Sequence, residues 1–261
     1  MDWTIDFISE EDFKEHIRNT ILKYENKLTS YDVNKFNSNI IDPIKMIFDK
    51  SVYGYDWDEM IDAEIFRQRD KSNNNEIGYF HQKLFNYIDN CEVPDEGWDV
   101  IYNGDYVVDG RIPVSKIYVE MKNKHNTMNS SASEDTYTSM QRQILADDDC
   151  VCMLVEIIAK KSQDITWKKN GRNNNRIRRV SIDKFMEIVT GEPDAFYQVC
   201  KALPEAIKEV LEEGNAIDPP EDIVLEQLQD IADEMDTDDY EEAMMLAMYS
   251  LGFSDYNGFD E

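Results

Sequence analysis

Glu120 and Lys122 stand two residues apart in "KIYVEMKNKHNTMN", residues 116–129. On an extended strand that spacing sends both side chains to one face and Val119 and Met121 to the other. A carboxylate beside an ammonium on one face suits phosphodiester hydrolysis. The carboxylate helps hold a hard divalent cation, which keeps several waters of its own. The cation acidifies a bound water and neutralises charge building on the phosphate. The ammonium can orient that water and stabilise developing charge.

Mg²⁺ needs a second carboxylate, and a neighbouring strand should bring it. Asp105 and Asp109 both precede Glu120 within one hairpin. Asp105, in "GDYVV", opens an apolar strand and is the preferred partner, whereas Asp109-Gly110 reads as a turn. Glu-x-Lys alone is a weak signal, because an exposed strand face is its ordinary meaning. Lys124, His125 and Asn126 follow directly and add donors suited to phosphate or base edges. Their ordinary reading is a polar strand end feeding a loop.

The elements that must position these groups follow from periodicity. Residues 9–88 read as helical: Ser9 and Asp12 open a helix through Phe13, Ile17, Ile21 and Leu22. Pro43 starts another with Ile44, Met46, Ile47 and Phe48 as its apolar face, and Trp57, Met60, Ile61, Ile65 and Phe66 mark a third. The polar stretch "RQRDKSNNNE" is expected to interrupt before helical spacing resumes. Trp98, Val100 and Tyr102 then alternate, as do Ile117, Val119 and Met121. "SSASEDTYTSMQRQIL" caps and begins a helix, and "CVCMLVEIIA" has the apolar, β-branched character of a central strand. Residues 181–213 return to helix. The expectation is an α/β (α+β) chain: a mixed β-sheet flanked by helices. A single domain would span 1–211, with a helical N-terminal region over 1–92 and a sheet core over 93–211, and 212–261 would be an acidic helical tail.

Formal net charge is −28, which by itself argues against a nucleic-acid partner. The charge is segregated, however. Residues 212–261 hold 17 Asp and Glu and no Lys or Arg, while Lys160–Lys184 holds nine Lys or Arg against two Asp. The tail reads either as two solvated helices packing through Leu225, Leu228, Ile231, Met244, Met245 and Met248, or as a mimic of DNA charge. No apolar run reaches the roughly 18 residues that span a bilayer, and the start Met1-Asp2-Trp3-Thr4 is unlike a signal peptide. Cys91, Cys150, Cys152 and Cys200 show no zinc-type pairing and read as reduced thiols of a cytoplasmic protein.

Two further patches carry donors. Arg67, Arg69, Lys71, Asn73, Asn74 and Asn75 form a dense polar run in which Arg could read guanine and Asn adenine or phosphate. Lys160, Lys161 and Ser162 follow the "CVCMLVEIIA" strand, and "KKNGRNNNRIRR", 168–179, suits equally a mobile loop closing on a phosphate backbone and an ordinary basic hairpin. Glu64 or Glu76 could add an auxiliary acid. His81 and Trp167 read as packed side chains.

"VEMKNKHNTMNSS" (119–131), "EIFRQRDKSNNNEIGYFHQ" (64–82) and "IIAKKSQ" (157–163) resemble type II restriction endonucleases, the family that cuts interrupted GGNCC or GGWCC sites. The resemblance runs from about residue 40 to about residue 211. It implies the PD-(D/E)xK nuclease fold, Mg²⁺, double-stranded DNA as substrate and a homodimer for a near-palindromic target. Carried over by position, it implies Asp105 and Glu120 as metal carboxylates and Lys122 as the catalytic lysine. Gly104 stands where the pattern has proline, which leaves Asp105 against Asp109 open. The competing readings are a structure-selective or repair nuclease of the same fold, and a non-catalytic acidic protein that mimics DNA or binds basic partners.

Overall fold

A computed structural model describes residues 3–27, 29–214 and 221–253. Its elements in chain order are α1 (Glu10–Lys27), α2 (Val33–Asn37), α3 (Pro43–Tyr53), α4 (Trp57–Lys83), β1 (Cys91–Glu92), β2 (Val100–Val108), β3 (Ile112–Lys124), α5 (Ser130–Ala146), β4 (Cys150–Ile158), β5 (Asp164–Thr166), β6 (Ile177–Ser181), α6 (Ile182–Thr190), α7 (Ala195–Glu213), α8 (Val224–Ala232) and α9 (Tyr240–Phe253). Six strands form one mixed sheet in the order β1-β2-β3-β4-β6-β5. β2 pairs antiparallel with β3, while β3–β4 and β4–β6 are parallel. The α/β expectation therefore holds, with β4 central and buried along seven of its nine residues.

The chain divides into two compact units, Met1–Ile21 with Glu76–Asn215, and Leu22–Asn75 with Ala216–Glu261. The first unit carries the sheet. One face of the sheet packs on α1, α6 and α7 through Ile117, Val119, Met121, Val151, Met153 and Val155. The other packs on α5 through Tyr137, Met140, Cys152 and Leu154. Local chemistry explains the starts: Ser9 Oγ accepts from Asp12 N–H at 3.0 Å, and Asn129 caps α5 through Ala132 N–H at 2.8 Å.

The second unit closes its own core from α2, α3, the first turns of α4, α8 and α9, with Phe36, Trp57, Ile61, Ile65, Leu228, Met244 and Met248 at its centre. The acidic stretch is thus two amphipathic helices whose apolar sides are buried. α4 corrects one expectation: it runs unbroken for 27 residues through "RQRDKSNNNE". That run holds no Gly or Pro, and polar residues alone do not break a helix whose neighbouring turns are anchored in a core. α3 corrects another. Met46 is buried, but Ile44 and Phe48 face outward at 51% and 65% exposure.

Arg69 and Asp222 tie the ends of this unit together. The guanidinium donates to both carboxylate oxygens at 2.8 and 3.0 Å, and Asp222 also accepts from Tyr31 N–H at 2.9 Å. Both side chains are about four-fifths buried, with exposures of 21% and 19%. Asp222→Ala leaves that guanidinium uncompensated and should cost about 3 kcal/mol. Urea unfolding checks it; an unchanged midpoint refutes it.

Candidate active site

β3 is hydrogen-bonded on both sides, and its burial alternates as the spacing requires: Val119 and Met121 are buried, Glu120 and Lys122 half-buried. Lys122 Nζ donates to Glu120 Oε1 at 2.6 Å. The two groups share the sheet face that carries α5, since their partners in β4 are Leu154 and Glu156.

The acid opposite them is Asp99. Val100 pairs with Val119, so Asp99, one residue earlier, lies across from Glu120, with about 5 Å expected between such Cβ atoms. Asp99 N–H donates to Val119 O at 3.0 Å, and Asp99 Oδ2 accepts from Met121 N–H at 2.6 Å. Burial pushes the Asp99 carboxyl up; the Met121 N–H opposes that, Glu120 adds to it and Lys122 partly offsets it. Asp99, Glu120 and Lys122 therefore sense one another's charge at one end of the β2–β3 ladder.

Asp105 does not join them. The β2–β3 register shifts between Asn103 and Tyr106, which places Asp105 in a bulge level with Ser115. Five residues of strand then separate it from Glu120, about 16 Å. The Tyr102 ring covers Gly104 here: a Cβ on Gly104 would lie 2.3 Å from it. Asp109 occupies the turn at φ +50°, as its sequence suggested, and is ion-paired to Arg178 at 2.7 Å. The signal for Asp99 was present in "GWDV". It is an acid between the alternating Trp98 and Val100, at the start of the strand that pairs with β3.

The sheet gathers other expected residues at one edge. β3 and β4 are parallel and Lys124 pairs with Ile158, so Lys124, His125, Asn126, Lys160, Lys161 and Ser162 all follow the same strand ends. Lys124, Asn126, Lys160, Lys161 and Ser162 are exposed. His125 is not presented outward: its carbonyl accepts from Arg179 at 2.8 Å, and Nδ1 lies 3.2 Å from the buried Glu156.

The Arg67–Asn75 run is on a helix, not in a loop. Arg67 donates through Nε to Glu64 at 2.6 Å but stays exposed, whereas Arg69 is held by Asp222 and mostly buried. Glu64 is buried against Arg67 and Gln68. Lys71 and Asn75 are exposed, Asn73 is half-buried and Asn74 donates to Asp70 at 2.8 Å. Glu76 is buried in α4, two residues before Gly78, whose missing Cβ would sit 3.6 Å from Asn123 Nδ2. Of the two readings of 168–179 the hairpin is the one found, with Lys169 bridged to Arg172 and Ile177–Ser181 forming β6. Arg178 enters the strand buried, with its charge answered by Asp109 and Asp164.

Among the described residues no group of three or more His, Cys, Asp and Glu is arranged to hold a metal. The donor set is two carboxylates, which fits a cation that retains waters and takes one or two protein oxygens. The raised Asp99 carboxyl fits it as well, since burial and the neighbouring Glu120 both disfavour its charge and a cation would offset them.

The chain matches the Eco47II restriction endonuclease family over residues 5–212. It is 31% identical to the type II restriction enzyme Sau96I of Staphylococcus aureus, over 81% of this chain and 83% of that protein. It is 28% identical to the type II restriction enzyme Eco47II of Escherichia coli, over 80% of this chain and 89% of that protein.

Asp99→Asn keeps an acceptor for Met121 N–H and removes a charge that burial disfavours. A raised folded-state pKa means stability present at low pH is lost as pH rises through it. In EDTA the variant should therefore melt above the wild type at pH 8, with the gap closing towards pH 4, while DNA cutting with divalent ions is lost. A lower melting temperature at pH 8 defeats the assignment of burial as the cause.

Proposed function

We propose, because the chain belongs to the Eco47II restriction endonuclease family, that it is a type II site-specific deoxyribonuclease. It hydrolyses phosphodiester bonds of double-stranded DNA at a GGNCC-like site. The observation that carries this reading is the convergence of Asp99, Glu120 and Lys122 at one end of the β2–β3 ladder. Asp99 and Glu120 would hold the cation, with Mg²⁺ favoured by an all-oxygen donor set of two carboxylates. Bound there, such an ion supplies an acidified water and charge neutralisation at the phosphate.

The remaining work falls to this chain's own groups. Lys122, on the same face as Glu120, holds its ammonium against that carboxylate and is placed to orient a water and to meet charge developing on phosphate oxygens. Met121 N–H fixes the Asp99 carboxylate through Oδ2, which leaves Oδ1 for the cation. Lys124, Asn126, Lys160, Lys161 and Ser162 lie at the same strand ends and supply donors for the DNA backbone. Catalysis belongs to the unit that contains the sheet. The four free cysteines suit the cytoplasm.

A near-palindromic site presents each strand in turn to the same chemistry, so the working form is a homodimer with one site per strand. Sedimentation with cognate duplex should give two chains per DNA; one chain per DNA refutes the dimer.

Glu120→Ala and Lys122→Ala should each lower cutting by about a hundredfold or more, with duplex binding in gel shift changed only a few-fold. Plasmid digestion with Mg²⁺ should give discrete fragments whose ends map to one interrupted G/C-rich site, and digestion in EDTA none. Ends scattered without a common sequence would point instead to a structure-selective nuclease.

A further inference from the structure

The segment between β5 and β6 is a built hairpin. Asn170 and Gly171 form its tip at φ +49° and +76°, the left-handed pair of a tight two-residue turn. Lys169 and Arg172 bridge across it, with N–H to carbonyl bonds of 3.2 and 2.8 Å. The side chains of that bridged pair go down onto α5. Lys169 Nζ donates to Ser133 Oγ at 2.9 Å, and Arg172 donates to Gln141 at 3.0 Å and ion-pairs with Glu134. The Arg172 guanidinium also lies 4.8 Å from the centre of the Tyr137 ring. Asn170 adds a bond to Glu134 at 2.8 Å.

The ribbon thus runs along α5 from Gln141 towards Ser133, which is the first turn of that helix. Only five residues, 125–129, separate this turn from the end of β3. The tip is therefore held at the end of the sheet to which β3 brings Lys122.

Lys168 and Asn173 flank the bridged pair and are exposed, as is Asn175. None of these three takes a side-chain partner among the described residues. The bridged pair is spent on anchorage, and the residues beside it offer an ammonium and two amides to solvent.

We propose that Lys168–Asn175 is a preformed DNA-reading ribbon. It enters the major groove beside the scissile strand, where Lys168 and Asn173 contact base edges. A two-stranded ribbon fits that groove, lysine donates to guanine O6 and N7, and asparagine carries both a donor and an acceptor for base edges. Anchorage by Arg172 and Glu134 means that little order has to be gained on binding. The role rests on the reading of the chain as a DNA endonuclease and assigns sequence discrimination to a segment that does no chemistry.

The test compares wild type with Lys168→Ala, Asn173→Ala and Glu134→Gln, on the mapped cognate duplex and on duplexes with one outer base pair exchanged. Cutting rates and gel-shift affinities are both read. Lys168→Ala and Asn173→Ala should each narrow the cognate-to-exchanged ratio by about tenfold at one position, with cutting of the exchanged duplex kept. Glu134→Gln should narrow it at several positions at once by freeing the ribbon. Circular dichroism melts separate this from misfolding, and the two exposed-residue variants should melt with the wild type. Unchanged ratios in both of those variants, with wild type discriminating, overturn the ribbon alone. A wild type that neither binds nor cuts duplex overturns the endonuclease reading and the ribbon with it.

Discussion

Strand β3 has neighbours on both sides and apolar packing under alternate residues, and the rest of the site depends on that constraint. Val119 and Met121 are buried among the helices of one face, which forces Glu120 and Lys122 onto the other. A slip of one residue in either ladder would drive a carboxylate and an ammonium into that core. The register is thus fixed by hydrophobic burial, and the chemistry inherits its geometry. The same ladder brings Asp99 opposite Glu120 and binds its carboxylate to Met121 N–H.

Buried charge in this molecule is answered locally. Glu156, 1% exposed beside Lys122 in the ladder, accepts from Arg179 and meets His125. Arg178 spans Asp109 and Asp164, so the hairpin turn of β2–β3 and the edge strand β5 share one guanidinium. Arg69 with Asp222 and Arg67 with Glu64 do the same work in the second unit. Pairs of this kind add modestly to net stability, but a lone member would be costly, so they fix which segments lie together. The charge that remains is segregated along the chain, since residues 212–261 hold 17 Asp and Glu and no Lys or Arg. Lys124, Lys160 and Lys161 stand exposed where β3 and β4 end.

Much of the fold was legible from the chain. Period-two alternation marked β2 and β3, an unbroken apolar run marked β4, and a capping serine marked the start of α1, whereas α5 is capped by Asn129 just before the serine run that suggested it. The Glu-x-Lys pair was legible for the same reason, since facing is a property of consecutive residues. The continuity of α4 was not, because a polar run carries no periodic signal and a helix there is decided by the cores at its two ends. Arg69 looked free because a sequence displays charges without their partners. Asp222, which occupies Arg69, lies 153 residues further on.

The sequence by itself determined the local pattern: which residues alternate, where helices start, where acid and base are concentrated, and that a carboxylate and an amine share one strand face. Tertiary structure decided which acid lies opposite that pair. Asp105 and Asp109 were nearer in the chain and better placed by turn chemistry, but a bulge at Gly104–Asp105 and the pairing of Val100 with Val119 gave the position to Asp99. Strand facing depends on neighbours one and two residues away, whereas register depends on contacts across the whole ladder and the core beneath it. Only the second kind of information selects among carboxylates.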